Sequence, residues 1–153
     1  MGAEARLAEL KLELPAAPKP VATYLTAVRV GNLLYVSGHG PLRVDGTLHV
    51  GKLGDNLDIP AGQAAARQTG LAILATLKTH LSSLDKVVRL IKVLGMVNSA
   101  PDFGDQPKVI NGFSDLMVEV FGESGKGARS AVGMGALPGG IAVEIEVIFE
   151  VTD

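Results

Sequence analysis

The sequence predicts an α+β domain, a mixed β-sheet with two helices packed on one of its faces, in the order β-β-(β)-α-β-α-β-β. Three observations predict it. Two long stretches repeat apolar residues at helical intervals, several shorter ones alternate as strands do, and the two kinds interleave along the chain. With 153 residues, 47 % of them hydrophobic and 20 % charged, the chain is long and apolar enough for one self-supporting core.

The elements follow in order. Residues 1–20 can form a short helix carrying Leu7 and Leu10 before Pro15, Pro18 and Pro20 stop regular structure. They read as an N-terminal arm ahead of a single domain over residues 21–153. Tyr24 to Val30 and Leu33 to Ser37 are β-type runs separated by Gly31-Asn32, a pair that tolerates the positive φ of a tight hairpin turn. A third strand is expected after Asp45-Gly46. Beyond Asp58-Ile59-Pro60, which has the chemistry of a capped helix start, Ala64, Ala65, Leu71, Leu74, Leu77, Leu81 and Leu84 recur every three or four residues.

Lys86 to Val97 is apolar on both parities, as a strand covered on both faces would be. Val109, Ile110, Phe113, Leu116, Met117, Val120 and Phe121 then define a second helix. Two last strands, Arg129 to Ala136 and Ile141 to Val151, flank Leu137-Pro138-Gly139-Gly140 and are expected to form a hairpin. On the final strand Ile141, Val143, Ile145, Val147, Phe149 and Val151 make one face, and Glu144, Glu146 and Glu150 fall on the other. A sheet with helices on one side leaves its second face to be polar or to bury itself against another subunit.

Composition excludes several functions. Fourteen Lys and Arg against sixteen Asp and Glu give a net charge of -2 with no basic cluster, which argues against a phosphate-tracking nucleic-acid surface. The absence of cysteine removes disulfides, thiolate nucleophiles and thiolate-bound metals. His39, His49 and His80 lack metal-ligand spacing. Charged residues interrupt the first fourteen positions, and no apolar run approaches the roughly 20 residues of a membrane span. A cytoplasmic protein without a membrane partner is expected.

One constellation carries chemistry. In a hairpin of even loop length Arg129 would pair near Ile148, Ala131 near Glu146 and Gly133 near Glu144, bringing a guanidinium and carboxylates together over a floor of small residues. Arg grips a carboxylate through two parallel charge-assisted bonds, and a nearby Glu can orient or deprotonate a water. The competing explanation is an ion pair that Arg129 makes with Glu146 or with a neighbouring subunit.

Two other motifs are weaker. Gly122-Glu123-Ser124-Gly125-Lys126-Gly127 superficially suggests a P-loop, but Val120 stands where glycine is needed, and a helix precedes where a strand should. Ser37-Gly38-His39-Gly40-Pro41 is a glycine-bracketed turn at a strand end, where backbone amides can meet a ligand.

Tyr24, Val30-Gly31-Asn32, Val36-Ser37-Gly38-x-x-Pro41, Ala128-Arg129-Ser130, and Leu137-Pro138 leading into Val143-Glu144-Ile145-Glu146 together resemble the RidA/YjgF family of enamine and imine deaminases. The resemblance runs from Tyr24 to Val151. It implies a chorismate-mutase-like fold, a homotrimer with sites in the clefts between subunits, and no cofactor. It also implies hydrolysis of 2-imino and 2-enamino acids such as 2-aminoacrylate to 2-oxo acids and ammonia. By the same resemblance Arg129 binds the substrate carboxylate with the Gly38 backbone beside it, Tyr24 and Asn111 line the cleft, and Glu144 positions the attacking water. Two positions depart from the family pattern: Ala131 stands where many members have cysteine, and His39 where glutamine is common. The alternatives are a non-catalytic trimer that binds 2-oxo acids and, ranked last, an endoribonuclease, for which four Phe, two Tyr and a net charge of -2 offer little stacking or phosphate contact.

Overall fold

The computed structural model describes residues Met1–Asp153. Strands β1 (Ala27–Val30) and β2 (Leu33–His39) form the expected hairpin, with Gly31 at φ +60° in its turn. Helix α2 (Ile59–Leu81) starts where Asp58 accepts a bond from the Ala61 amide at 2.9 Å and ends at Ser82, which is left-handed at φ +67°. Strand β3 (Val87–Asn98), helix α3 (Gln106–Phe121), β4 (Ala128–Met134) and β5 (Val143–Val151) complete the domain. The sheet order is β1-β2-β5-β3-β4, and only the β3–β4 pair is parallel. No helix is long and apolar enough to cross a membrane.

Helices α2 and α3 lie together on one sheet face. Val143, Ile145, Val147, Phe149 and Val151 of the central strand are buried beneath them, against Leu74 and Leu77 of α2 and Ile110 and Phe113 of α3. Each such side chain contributes about 1.5–3 kcal/mol by leaving water. The short N-terminal helix α1 (Ala3–Glu9) joins this layer: Ala3 and Leu7 are buried, Glu4 pairs with Lys78 at 3.0 Å, and Glu4 also accepts the Leu84 amide at 2.8 Å.

The sheet differs from expectation at four places. Strand β1 begins at Ala27, leaving Tyr24 in the irregular segment before it. No third strand follows Gly46: residues 41–50 form a loop with isolated bridges from Leu42 to Leu48 and from Val50 to Ile141. There the Asp45 carboxylate accepts both the amide and the hydroxyl of Thr47, local bonds that compete with a ladder.

Strand β3 is apolar on both parities because bulges at Val87–Arg89 and Leu90–Lys92 shift its register against β5. The core-facing set changes from Leu90 to Val93 and Val97, so one face is buried and the other is not covered on both sides as the apolar run suggests. Finally, β4 and β5 are not a hairpin. Strand β3 lies between them, parallel to β4, and Arg129 stands opposite Val93, Ala131 opposite Gly95 and Gly133 opposite Val97. A strand, a helix and a strand in succession form a parallel crossover, and β3-α3-β4 follows that rule.

The second sheet face has no helix over it. Val28, Tyr35 and Val132 are exposed there, and Tyr35, Lys92, Glu146 and Ile148 border a shallow trough of about 390 Å³.

Candidate functional site

The register decides where Arg129 points. Its row across the sheet runs through Val93 to Val147, both buried under the helices, so its side chain leaves the edge strand on the helix side. There Nη1 donates to Asn111 Oδ1 at 2.9 Å and to Ser114 Oγ at 3.1 Å, and Nη2 reaches the Pro107 carbonyl at 3.5 Å. Asn111 and Ser114 are one turn apart on α3 and therefore present their oxygens side by side. All three acceptors are neutral. Arg129 forms no ion pair within the chain, so the pairing with Glu146 considered above is absent. Its charge is uncompensated, and of five guanidinium N–H groups those on Nε and one on Nη2 have no partner. A cleft of about 200 Å³ opens beside it, lined by Asn111, Ser114, Lys126 and Gly127.

Glu144 lies on the opposite sheet face. On β5 it stands across from Met96 of β3 and rests on Gly38, where β2 breaks register with β5 between Val36 and His39. A Cβ at Gly38 would come within 2.7 Å of Glu144 Oε2 and 3.0 Å of its Cδ, so only glycine lets the carboxylate lie there. Burial, and second the negative charge of Glu146, push the Glu144 carboxyl above its ordinary range. A carboxylate destabilised in this way is a stronger base than one in water. Gly38 and Tyr24 line a common cavity of about 340 Å³.

The residues singled out from the sequence thus fall into two groups within one chain. Arg129 meets Asn111, Gly38 meets Glu144, and Tyr24 shares with Gly38 a cavity whose lining does not include Glu144. The two groups lie on opposite faces, with β3 between β5 and β4, and not on the shared face that a β4–β5 hairpin would create. The small-residue floor is also partly filled: the space over Gly133 holds the Gln106 amide and the Ser99 hydroxyl.

His39 turns away from the glycine-bracketed turn. It is 4 % exposed, with Nδ1 2.6 Å from the Ser37 carbonyl and Nε2 2.7 Å from the Thr76 hydroxyl. Nδ1–H therefore donates and Nε2 accepts, the neutral tautomer, in keeping with a pKa lowered chiefly by burial. Ser114 and the Pro107 carbonyl were not anticipated. The spacing of Asn111 and Ser114 on a helix could have revealed the first; nothing in the sequence marks the second. No three His, Asp or Glu side chains converge on a point that could hold a metal ion.

A family model described as "YjgF/chorismate_mutase-like, putative endoribonuclease" matches residues 4–143. The chain is 42 % identical to protein TCP17 of Trypanosoma cruzi over 150 residues, 97 % of this chain and 94 % of that one. It is 32 % identical over 138 residues to a 2-iminobutanoate/2-iminopropanoate deaminase of Dermatophagoides farinae, covering 90 % and 92 %. Among solved structures, an Agrobacterium tumefaciens protein of unknown function superposes with a TM-score of 0.90 at 43 % identity, covering 98 % of this chain and 92 % of that one.

Proposed function

The chain belongs to the RidA/YjgF family, and from that premise we propose that it is a cofactor-independent hydrolase of reactive 2-imino and 2-enamino acids, yielding 2-oxo acids and ammonia. The observation that carries the proposal is the Arg129 guanidinium, held by Asn111, Ser114 and the Pro107 carbonyl and paired with no carboxylate. An exposed edge-strand cation that is fixed in place but not neutralised is open to an anionic guest. Similarity to the mite deaminase supports an imino acid as that guest.

The reading includes the homotrimer and the cytoplasmic setting expected from the sequence. The two half-sites on opposite sheet faces support an assembly in which Arg129 and Asn111 of one copy meet Tyr24, Gly38 and Glu144 of the next. The unengaged Arg129 N–H groups take the substrate carboxylate, which fixes C2 of the iminium. Glu144 removes a proton from water as its oxygen bonds to C2 and the C=N π electrons move to nitrogen. That proton passes to nitrogen, the C2–N bond breaks as the C2 hydroxyl loses its proton, and ammonium leaves. Water supplies the 2-oxo oxygen, and both of its hydrogens end on ammonium. Because an iminium carbon is already electrophilic, positioning supplies much of the acceleration.

The test is release of ammonia and pyruvate from enzymatically generated 2-aminoacrylate. Arg129→Ala removes the charged partner of the carboxylate, and kcat/KM is expected to fall roughly 10²-fold. Equal rates for Arg129→Ala and the wild type would remove Arg129 from the mechanism. Pyruvate binding without any turnover would leave a carboxylate site and take away the chemistry.

A further inference from the structure

Strand β2 changes its inward parity at Gly38. Leu34 and Val36 are buried under the helices, and simple alternation would bury position 38 as well and turn His39 out onto the face that carries Glu144. A bulge prevents this. Val36 stands opposite Val147 and His39 opposite Ile145, so three steps on β2 match two on β5. His39 therefore packs inward, and Gly38 is the residue displaced outward, with the Glu144 carboxylate lying over it.

Two bonds hold the ring inward. Nδ1–H reaches back across Gly38 to the Ser37 carbonyl at 2.6 Å, and the buried Thr76 of α2 donates its hydroxyl to Nε2 at 2.7 Å. A buried imidazole lacking both partners would favour the regular register, in which the ring meets water. The Ser37 bond also sets the next peptide unit. In a trans unit the N–H runs antiparallel to the carbonyl, so with the Ser37 oxygen turned to the ring the Gly38 N–H is directed away from it.

We infer that His39 is a positioning residue for hydrolysis: anchored to α2 through Thr76, it maintains the Gly38 bulge and thereby gives the Glu144 carboxylate the place from which it acts on water. The inference rests on the imine-hydrolase reading above, in which Glu144 is the base. Both ring nitrogens are engaged within the chain, so His39 acts only through Gly38. In the regular register the side chain of residue 39 would stand where the carboxylate now lies and displace it toward water. The ionisable neighbour of Glu144 is Glu146 on the same strand, whereas Gly38 and Met96, which face it from β2 and β3, carry no charge.

The experiment joins steady-state kinetics on enzymatically generated 2-aminoacrylate to a carbon-13 titration of the Glu144 carboxyl, assigned by its loss in Glu144→Gln. His39→Leu keeps an apolar side chain suited to the core and removes both bonds. Its kcat is expected to fall roughly 10- to 100-fold, as for a misplaced catalytic group. KM should move little because Arg129 is untouched, Tm should hold, and Glu144 should titrate closer to the ordinary carboxylate range. His39→Gln, which restores a donor and an acceptor on a chain of similar reach, is expected to recover both kcat and the titration. A His39→Leu protein with wild-type kcat or a wild-type Glu144 titration, or a His39→Gln protein no better than His39→Leu, overturns the proposal. Should His39→Leu not fold, Thr76→Val carries the test: a Glu144 titration moved in the same direction supports the anchor, and an unmoved one overturns it. If the wild type hydrolyses no imine the deaminase reading falls, while the titration still decides whether His39 places Glu144.

Discussion

Gly38 and Glu144 show how one absent side chain shapes a titration. The carboxylate occupies the space a Cβ would fill at Gly38, and its burial there, with Glu146 nearby, raises its pKa. The protonated acid cannot take a proton from water, so activity is expected to climb as pH rises through this raised value. Glu146→Gln removes the second cause, and the acidic limb of the kcat/KM profile should move to lower pH; an unmoved limb would mean that Glu144 is not the base. The stability effect has the opposite sense. A folded-state pKa above the unfolded one means that folding tightens the proton, and this carboxyl's contribution to stability is lost as pH rises through the folded value. Of these residues, Arg129 was legible in the sequence as a carboxylate-binding group on a strand, while Asn111 came only from the family resemblance, which set it with Tyr24 rather than as the partner of Arg129. What Arg129 binds within the chain was not legible: a guanidinium on a strand suggests carboxylates across the sheet, and only the register reveals that it faces the neutral oxygens of α3.

Elements were legible where a local rule governs them. Asp58, Gly31 and the helical repeats set α2, the first hairpin and α3 without reference to the rest of the molecule. Pairing between distant strands follows no such rule. The link after Met134 contains Pro138 followed by Gly139 and Gly140, which suggests a tight turn, yet its chain crosses the end of β3 to reach β5. The interleaving of β3, α3 and β4 carried the correct answer, because parallel neighbours require a crossover helix. The approach of α2 to α3 is set by Gly112, where an added Cβ would sit 2.1 Å from the Gln63 carbonyl oxygen. Neither backbone can yield alone. Gly112→Ala should cost about 3 kcal/mol and lower Tm by roughly 6–12 °C in thermal unfolding. Gly135→Ala, with no atom within 4 Å of the new Cβ, is the matched control and should leave Tm in place.

At the scale of the whole molecule the bare sheet face and the divided site belong together. Val28, Tyr35, Ile148 and Val132 give that face its apolar character, with Lys92 and Glu146 set among them. Such a surface suits contact with a further copy better than water. The sequence signalled it in the mixed outer parity of β5, although the doubly apolar run of β3 overstated how much is covered; its bulges account for the difference.

Because Arg129 and Glu144 leave a single polypeptide on opposite sides of the sheet, the proposed assembly lets two crippled chains repair each other. Arg129→Ala and Glu144→Ala are each expected to be inactive as pure preparations. Denatured together in equal amounts and refolded, they should regain activity, since roughly a quarter of the seams in a randomly mixed ring would draw the intact guanidinium from one parent and the intact carboxylate from the other. A mixture as dead as its parents would mean that each chain keeps its chemistry to itself.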